Sequence, residues 1–336
     1  MDWSEFKKNI DAGKIAKVYT FAGRERYLME MALTALKAAV LSDGFEALND
    51  TVLEAPSARQ IIDAAETFPI MCDRRMLTVI DWRPATDGGA ESDKDETALL
   101  ETWIRNPPET CITVFYMKRE LDGRRKAAML LKQNSVFVQF DTPQPVQMFA
   151  LMDARLAEYK KTITGEAREH LAVMMNHDMT AIMTELDKLI SYIGERKAIE
   201  KKDIDAITTP SLEYSIFRIT DDLLHHDLGS AQRIVNSLLQ NGETCFSLLA
   251  VLTYQYRNLA HIRLALDAGI SLDRVQEELK ISYKAARQSE MTVRRIPSAR
   301  LEKGYQDCLK TAAAIRTGRS NERSSFDMLL IRLARL

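Results

Sequence analysis

Short β-rich runs alternate with helical stretches over the first 141 residues, and this strand pattern is lost afterwards. The β-rich runs span residues 17–21, 51–54, 76–82, 110–116 and 135–140. Between them, residues 25–41 and 122–133 place apolar side chains at helical spacing. This alternation is typical of βαβ units and predicts an α/β domain with a largely parallel sheet over residues 1–141. Residues 84–96, with two adjacent glycines and five acids, are predicted to form a surface loop.

The chain after Thr142-Pro143-Gln144-Pro145 has the apolar periodicity of helices throughout. A stripe at i, i+4, i+7, i+8 and i+11 consists of Ile182, Leu186, Leu189, Ile190 and Ile193. Gly194 follows this stripe as a natural helix end. A break at residues 208–211 separates it from longer predicted helices over residues 245–268 and 297–318. We therefore predict a small helical domain at 142–210 and a larger one at 211–336.

Composition excludes several classes of protein. The 336 residues are 46% hydrophobic and 28% charged, which is ordinary for a globular chain. Polar residues interrupt every apolar run before the roughly 20 positions that a membrane span needs. The N-terminus lacks the basic start and apolar core of a secretory signal, so we expect a cytoplasmic protein without membrane contact. A net charge of −2 argues against a surface devoted entirely to nucleic acid.

Candidate metal ligands and reactive thiols are scattered. The four cysteines, Cys72, Cys111, Cys245 and Cys308, form no CxxC pair and have no histidine at zinc-ligand spacing. Cys111 and Cys245 lie in apolar runs, where a small buried side chain is expected. The sequence therefore predicts no metal site.

The turn after the first strand lacks the residues of a phosphate loop. Residues 20–28 contain one glycine, Gly23, and no Gly-Lys pair, whereas a phosphate loop needs GxxxxGK followed by Ser or Thr. The third strand ends at Asp81, without a second acid beside it, and this carboxylate is expected to bond a neighbouring turn. The GxSxG, HExxH and GxGxxG motifs are also absent. We predict no catalytic residues and no cofactor, which favours a binding or mechanical role while leaving an enzyme class open.

An apolar turn stands out between a predicted helix and the third strand. The helix over residues 59–66 is followed by Phe68-Pro69-Ile70-Met71, and proline prevents the helix from continuing beyond Phe68. Turns usually carry polar residues, so these side chains either fold under the sheet edge or fit a pocket in a partner. The residues by themselves favour the first alternative.

Several motifs, in their order, resemble the delta subunit family of bacterial DNA polymerase III. The pattern apolar-Pro-apolar-apolar-small-Asp-Arg-Arg before a hydrophobic strand occupies residues 68–75. Residues 18–28 resemble that family's strand, glycine and Tyr-Leu helix start. Residues 176–189 and 199–204 are similar to its lid domain, and Ala314-Ile315-Arg316-Thr317-Gly318 resembles a short motif of its collar helix.

The resemblance implies a degenerate AAA+ module without an ATP site at 1–141, an all-α lid at 142–210 and an all-α collar at 211–336. By matching position, Phe68, Pro69, Ile70 and Met71 form a turn that enters a pocket beside a sliding-clamp interface and opens the ring without ATP hydrolysis. A polar rim would comprise Asp73, Arg74 and Arg75, although the two arginines equally suit strand-flanking charges. The implied partners are the sliding clamp, other clamp-loader subunits through the collar and, as a further candidate, primed DNA. As a subunit, the chain would be grouped with DNA-directed DNA polymerase.

Two rival hypotheses remain open. The α/β-plus-lid layout also suits a nucleotide hydrolase with an unrecognised phosphate loop. The basic segment from Arg294 to Arg335 carries ten Arg or Lys residues against four acids, which suits a helical DNA-binding scaffold.

Overall fold

The first part of the chain forms a five-stranded parallel sheet with helices on both faces. The computed structural model describes residues 1–41, 44–86, 92–279, 281, 283–294 and 296–336. The strands of this sheet are β1 (Val18–Gly23), β2 (Asp50–Glu54), β3 (Arg75–Ile80), β4 (Cys111–Met117) and β5 (Val136–Phe140). The helices among them are α1 (Trp3–Asp11), α2 (Arg26–Val40), α3 (Glu46–Asn49), α4 (Ala58–Ala65), α5 (Ser92–Ile104) and α6 (Lys126–Asn134).

The sheet has the order β2-β3-β4-β1-β5, and every neighbouring pair is parallel. Parallel neighbours need a crossover connection, which explains why helices separate the strands in the sequence. The strands buried on both faces are rich in β-branched and aromatic residues. The predicted α/β fold is thus confirmed, with each strand boundary within two residues of its prediction.

Side chains of β1 alternate between two cores, one on each face of the sheet. Tyr19 and Phe21 pack with α1 and α2, whereas Val18 and Ala22 pack with α4, α5 and α6. This period of two is the geometry of an extended strand. Helices therefore pack against both faces of the sheet, and β1 is buried between the two cores.

Gly23 ends β1 at a position that only glycine can occupy. Its φ angle is +141°, in a region that L side chains rarely adopt, and a Cβ atom there would overlap the backbone of Phe140 in β5. The carbonyl carbon of Phe140 would lie 2.6 Å from this added atom. The close approach lets the chain turn directly from β1 into α2.

The predicted loop over residues 84–96 is wrong for its C-terminal part, because α5 begins at Ser92. Residues 87–91 lie outside the described residues. Acidic residues suit the first turn of a helix, where they complement the helix dipole, so their abundance is compatible with α5 as well as with a loop. In addition, a Glu96 carboxylate oxygen accepts a hydrogen bond from the Ala58 N–H at the start of α4.

The second part of the chain is almost entirely helical, as predicted. Its helices are α7 (Pro145–Glu158), α8 (Gly165–Met174), α9 (Met179–Tyr192), α10 (Lys201–Ile207), α11 (Leu212–Leu224), α12 (Leu228–Gln240), α13 (Cys245–Asp267), α14 (Leu272–Leu279), α15 (Tyr283–Val293), α16 (Ser298–Arg316) and α17 (Glu322–Arg335). The predicted stripe of α9 is buried along its length. Two short strands, β6 (Thr162–Ile163) and β7 (Ala198–Ile199), form a parallel pair. They correct the prediction that strands are absent after residue 142, and they are too short to produce a periodic pattern.

The chain divides into two compact units. The first contains residues 1–160 and 179–184, and the second contains residues 161–178 and 185–336. The three-domain division at 1–141, 142–210 and 211–336 stays a prediction. Among the described residues, no helix combines the length and apolarity that crossing a bilayer requires.

We predict that Gly23→Ala destabilises the α/β region by about 3 kcal/mol or more, because it adds backbone strain to a steric overlap with Phe140. Urea unfolding followed by circular dichroism measures the change. Gly123→Ala is the matched control, because a Cβ atom there meets nothing within 4 Å. Equal stability of the two variants would contradict the role of Gly23.

Candidate functional site

The turn after β1 places a carboxylate of the chain itself at the start of α2. Glu25 is the N-cap of α2, and its carboxylate accepts a hydrogen bond of 3.3 Å from the Tyr27 N–H. Its own backbone N–H donates to the Phe140 carbonyl at 3.1 Å, and the residue is buried. Helix N-termini attract anions because their N–H groups are unpaired and the helix dipole is positive there. Here one of these N–H groups is paired with a carboxylate from within the chain.

Asp81 bonds a neighbouring turn, as expected. One of its carboxylate oxygens accepts a 3.0 Å hydrogen bond from the backbone N–H of Arg119, just after β4. Its backbone N–H donates to the carbonyl of Tyr116 at 3.2 Å. Across the described residues, no group of three or more His, Cys, Asp or Glu side chains is placed to hold a metal ion.

The apolar turn lies between α4 and β3. A capping box begins α4, in which Ser57 and Gln60 exchange side-chain and backbone hydrogen bonds. The helix ends at Ala65, three residues before Phe68, and thus slightly earlier than proline alone requires. No helix or strand forms between Ala65 and Arg75. The side chains of this segment therefore do not follow the alternation of a strand or the periodicity of a helix.

The three large apolar side chains of this turn face solvent. Phe68 is 80% exposed, Met71 77% and Ile70 49%, whereas Pro69 is half-buried. They do not fold under the sheet edge, so the alternative favoured by the residues alone is not the one that the structure adopts. Met71 also has a φ of +58°, an uncommon conformation for a non-glycine residue. Met71 is thus as accessible to solvent as Phe68.

Asn49, at the end of α3, holds the backbone of the turn. Its Oδ1 atom accepts a 2.8 Å hydrogen bond from the Ile70 N–H, and its Nδ2 atom donates to the Ile70 carbonyl at 2.9 Å. The same Nδ2 atom donates to the Phe45 carbonyl at 3.0 Å. The residue is only 1% exposed. Both polar backbone groups of Ile70 are therefore satisfied while its side chain points outward.

Arg75 supports the turn from its other end. Its guanidinium donates to the Thr67 carbonyl at 3.3 Å and to the Thr51 hydroxyl at 2.6 Å. Arg75 is buried, whereas Asp73 and Arg74 are exposed. The geometry of Asp73 and Arg74 suits a polar rim, and that of Arg75 suits internal support of the turn.

Sequence reasoning missed Asn49 and Thr51. The two residues lie about 20 positions before the turn, and nothing in their spacing points to it. One signal in the sequence could have linked them to the turn: Asn49 directly precedes β2, and the turn precedes β3. If the two strands were known to be parallel neighbours, their N-terminal ends would meet at one edge of the sheet.

Basic residues of the C-terminal segment are partly used inside the helical unit. Those with hydrogen bonds or ion pairs to neighbours in that unit include Arg294, Arg300, Lys303, Arg323 and Arg332. For example, Arg300 donates to the Leu224 carbonyl at the end of α11 at 2.8 Å. Lys310, Arg316 and Arg319 are exposed. The basic face is thus smaller than the sequence suggests.

A solved structure shares this fold. The structure of the Bacillus subtilis DNA clamp loader delta protein matches with a TM-score of 0.71 at 23% identity, covering 99% of this chain and 100% of that one. At this level of identity, the likeness establishes the fold.

Sequence relatives carry consistent names. DNA polymerase III subunit delta of Bacillus subtilis is 26% identical over 279 residues, which is 82% of this chain and 80% of that protein. A probable DNA polymerase III subunit delta of Aquifex aeolicus is 21% identical over 233 residues, which is 57% of this chain and 67% of that protein.

Two family models match consecutive parts of the chain. The model of the DNA polymerase III delta subunit matches residues 19–141, and the model of the C-terminal domain of this delta subunit matches residues 213–333. Together they span both the parallel sheet with its apolar turn and the C-terminal helices. The chain belongs to the DNA polymerase III delta subunit family.

Proposed function

We propose that this chain is a clamp-loader subunit that binds a sliding clamp through the Phe68-Pro69-Ile70-Met71 turn and opens the ring beside an interface. The observation that carries this proposal is the solvent exposure of three large apolar side chains on a turn whose backbone is held by buried polar residues. Membership of the delta family supports the assignment, as does the fold shared with a DNA clamp loader delta protein.

The turn offers enough apolar surface to anchor a complex. Burying a side chain such as Phe68, Ile70 or Met71 contributes about 1.5–3 kcal/mol, or roughly 5–9 kcal/mol for the three. Association itself costs several kcal/mol in lost translational and rotational freedom. The turn therefore needs further contacts, and the exposed charges of Asp73 and Arg74 are placed to provide a polar rim around it.

We further propose that this subunit neither holds nor hydrolyses ATP. Glu25 places its own carboxylate at the N-terminus of α2, where a phosphate group would otherwise lie. Hydrolysis would then belong to other subunits, which this chain would join through its C-terminal helices at 211–336. Primed DNA is a candidate further partner, for which Lys310, Arg316 and Arg319 are exposed cations.

The double variant Phe68→Ala, Ile70→Ala is expected to weaken clamp binding by about 100-fold or more, because two apolar anchors are truncated. Surface plasmon resonance with the cognate clamp ring measures the affinity, and circular dichroism checks the fold. Val146→Ala is the matched control, since Val146 is also 80% exposed but lies on α7. Wild-type affinity in the double variant would contradict the proposal.

Titration with Mg-ATP is expected to give no saturable heat, because the Glu25 carboxylate competes electrostatically with phosphate at the start of α2. Isothermal titration calorimetry of the purified chain makes this measurement. Stoichiometric binding would instead support the hydrolase hypothesis.

Clamp binding is expected to protect Cys72 from thiol reagents, since Cys72 directly follows Met71 and is partly exposed. Cys111, Cys245 and Cys308 should react slowly throughout. Burial raises the pKa of all three thiols, that of Cys308 to about 12, so little thiolate is present. Mass spectrometry of labelled peptides measures each rate. Unchanged labelling of Cys72 at saturating clamp would argue against contact at the turn.

A further inference from the structure

We infer that Asn49 is a positioning residue that presents the clamp-binding turn in a preformed conformation. The inference rests on the proposed function and adds a residue that need not touch the clamp, because Asn49 is 1% exposed. It assigns part of the binding affinity to a buried amide outside the apolar turn.

The hydrogen bonds of Asn49 use all the polar functions of its side chain. An asparagine amide has one carbonyl oxygen and two N–H donors. The oxygen accepts from Ile70, while the nitrogen donates to Ile70 and to Phe45. The two bonds with Ile70 close a ring with the turn backbone, as a neighbouring strand would. This arrangement fixes Ile70 by its backbone and leaves the side chain available to a partner.

The turn needs such support because it has no regular structure of its own. Met71 adopts a positive φ, which a free peptide of this sequence would rarely populate. Ordering a loop during association opposes binding, whereas a loop ordered during folding does not add that cost. Because of the bonds from Asn49, the turn becomes ordered when the chain folds and not when it binds. Loss of Asn49 should therefore weaken binding even though every apolar anchor remains.

The edge strand β2 is the platform for this support. Asn49 immediately precedes β2, and Thr51 within β2 accepts the hydrogen bond from Arg75. Arg75 in turn donates to the carbonyl of Thr67. Backbone groups on both sides of Phe68 and Pro69 are thus tied to the start of one strand.

The test is the affinity of Asn49→Ala for the cognate clamp ring, together with amide hydrogen exchange at Ile70, whose N–H bonds Asn49. We expect affinity to fall about tenfold, which corresponds to one or two hydrogen bonds of ordinary net strength. Exchange at the Ile70 amide should become faster while exchange in β3 stays slow. Asn134→Ala is the matched control, because the Asn134 amide donates at 3.0 Å to the Leu130 carbonyl in α6, away from the turn.

Loss of affinity and faster exchange in Asn49→Ala alone would support the positioning role. Wild-type affinity in Asn49→Ala, or an equal loss in Asn134→Ala, would overturn it. If Asn49→Ala fails to fold, Asn49→Ser replaces it, since a serine hydroxyl is too short to bond both polar groups of Ile70. If the double variant Phe68→Ala, Ile70→Ala abolishes clamp binding but the Asn49 variants bind the clamp normally, only this inference fails. When neither affects binding, the proposed function fails and the positioning role with it.

Discussion

The exposed turn depends on the parallel pairing of β2 with β3. Their register places Asp50 beside Met76, so the residues that precede the two strands meet at the same edge of the sheet. Asn49 then reaches Ile70, and Arg75 reaches back to Thr51. Without this pairing, the turn would lose its polar supports and its apolar side chains would be free to collapse against nearby surface. The pairing of these two strands thereby accompanies the exposure of three large apolar side chains at one edge of the sheet.

At the opposite edge of the sheet, the turn after β1 leads into α2 through Gly23 and Glu25. A parallel sheet directs the turn after β1 toward a helix N-terminus, which in nucleotide-binding proteins holds phosphate. In this chain, Gly23 allows the close turn against Phe140, and Glu25 supplies the anion from within. The positive end of the α2 dipole thus lies beside a carboxylate of the chain itself. At its other edge, the same sheet supports the apolar turn through residues at the start of β2.

Sequence reasoning performed best where one signal dominated. The five strands were located to within two residues because strands buried on both faces give short continuous β-rich runs, and the stripe of α9 is buried as predicted because a buried helix face imposes a period of 3.6. It failed at α5, where acids and glycines suggested a loop although acids also suit a helix N-terminus. The strands β6 and β7 escaped because two residues cannot establish a period.

The sequence by itself determined that a proline-stopped helix precedes a cluster of apolar residues, and that the residues of a phosphate loop are missing. Local sterics and residue identity settle both points, and neither needs long-range contacts. Only the tertiary structure decided that Phe68, Ile70 and Met71 face solvent and that Arg75 turns inward. The physical reason is that the turn contacts residues distant in sequence: Asn49 bonds the Ile70 backbone and Thr51 bonds Arg75, and β2–β3 pairing brings both to the turn from about 20 residues away.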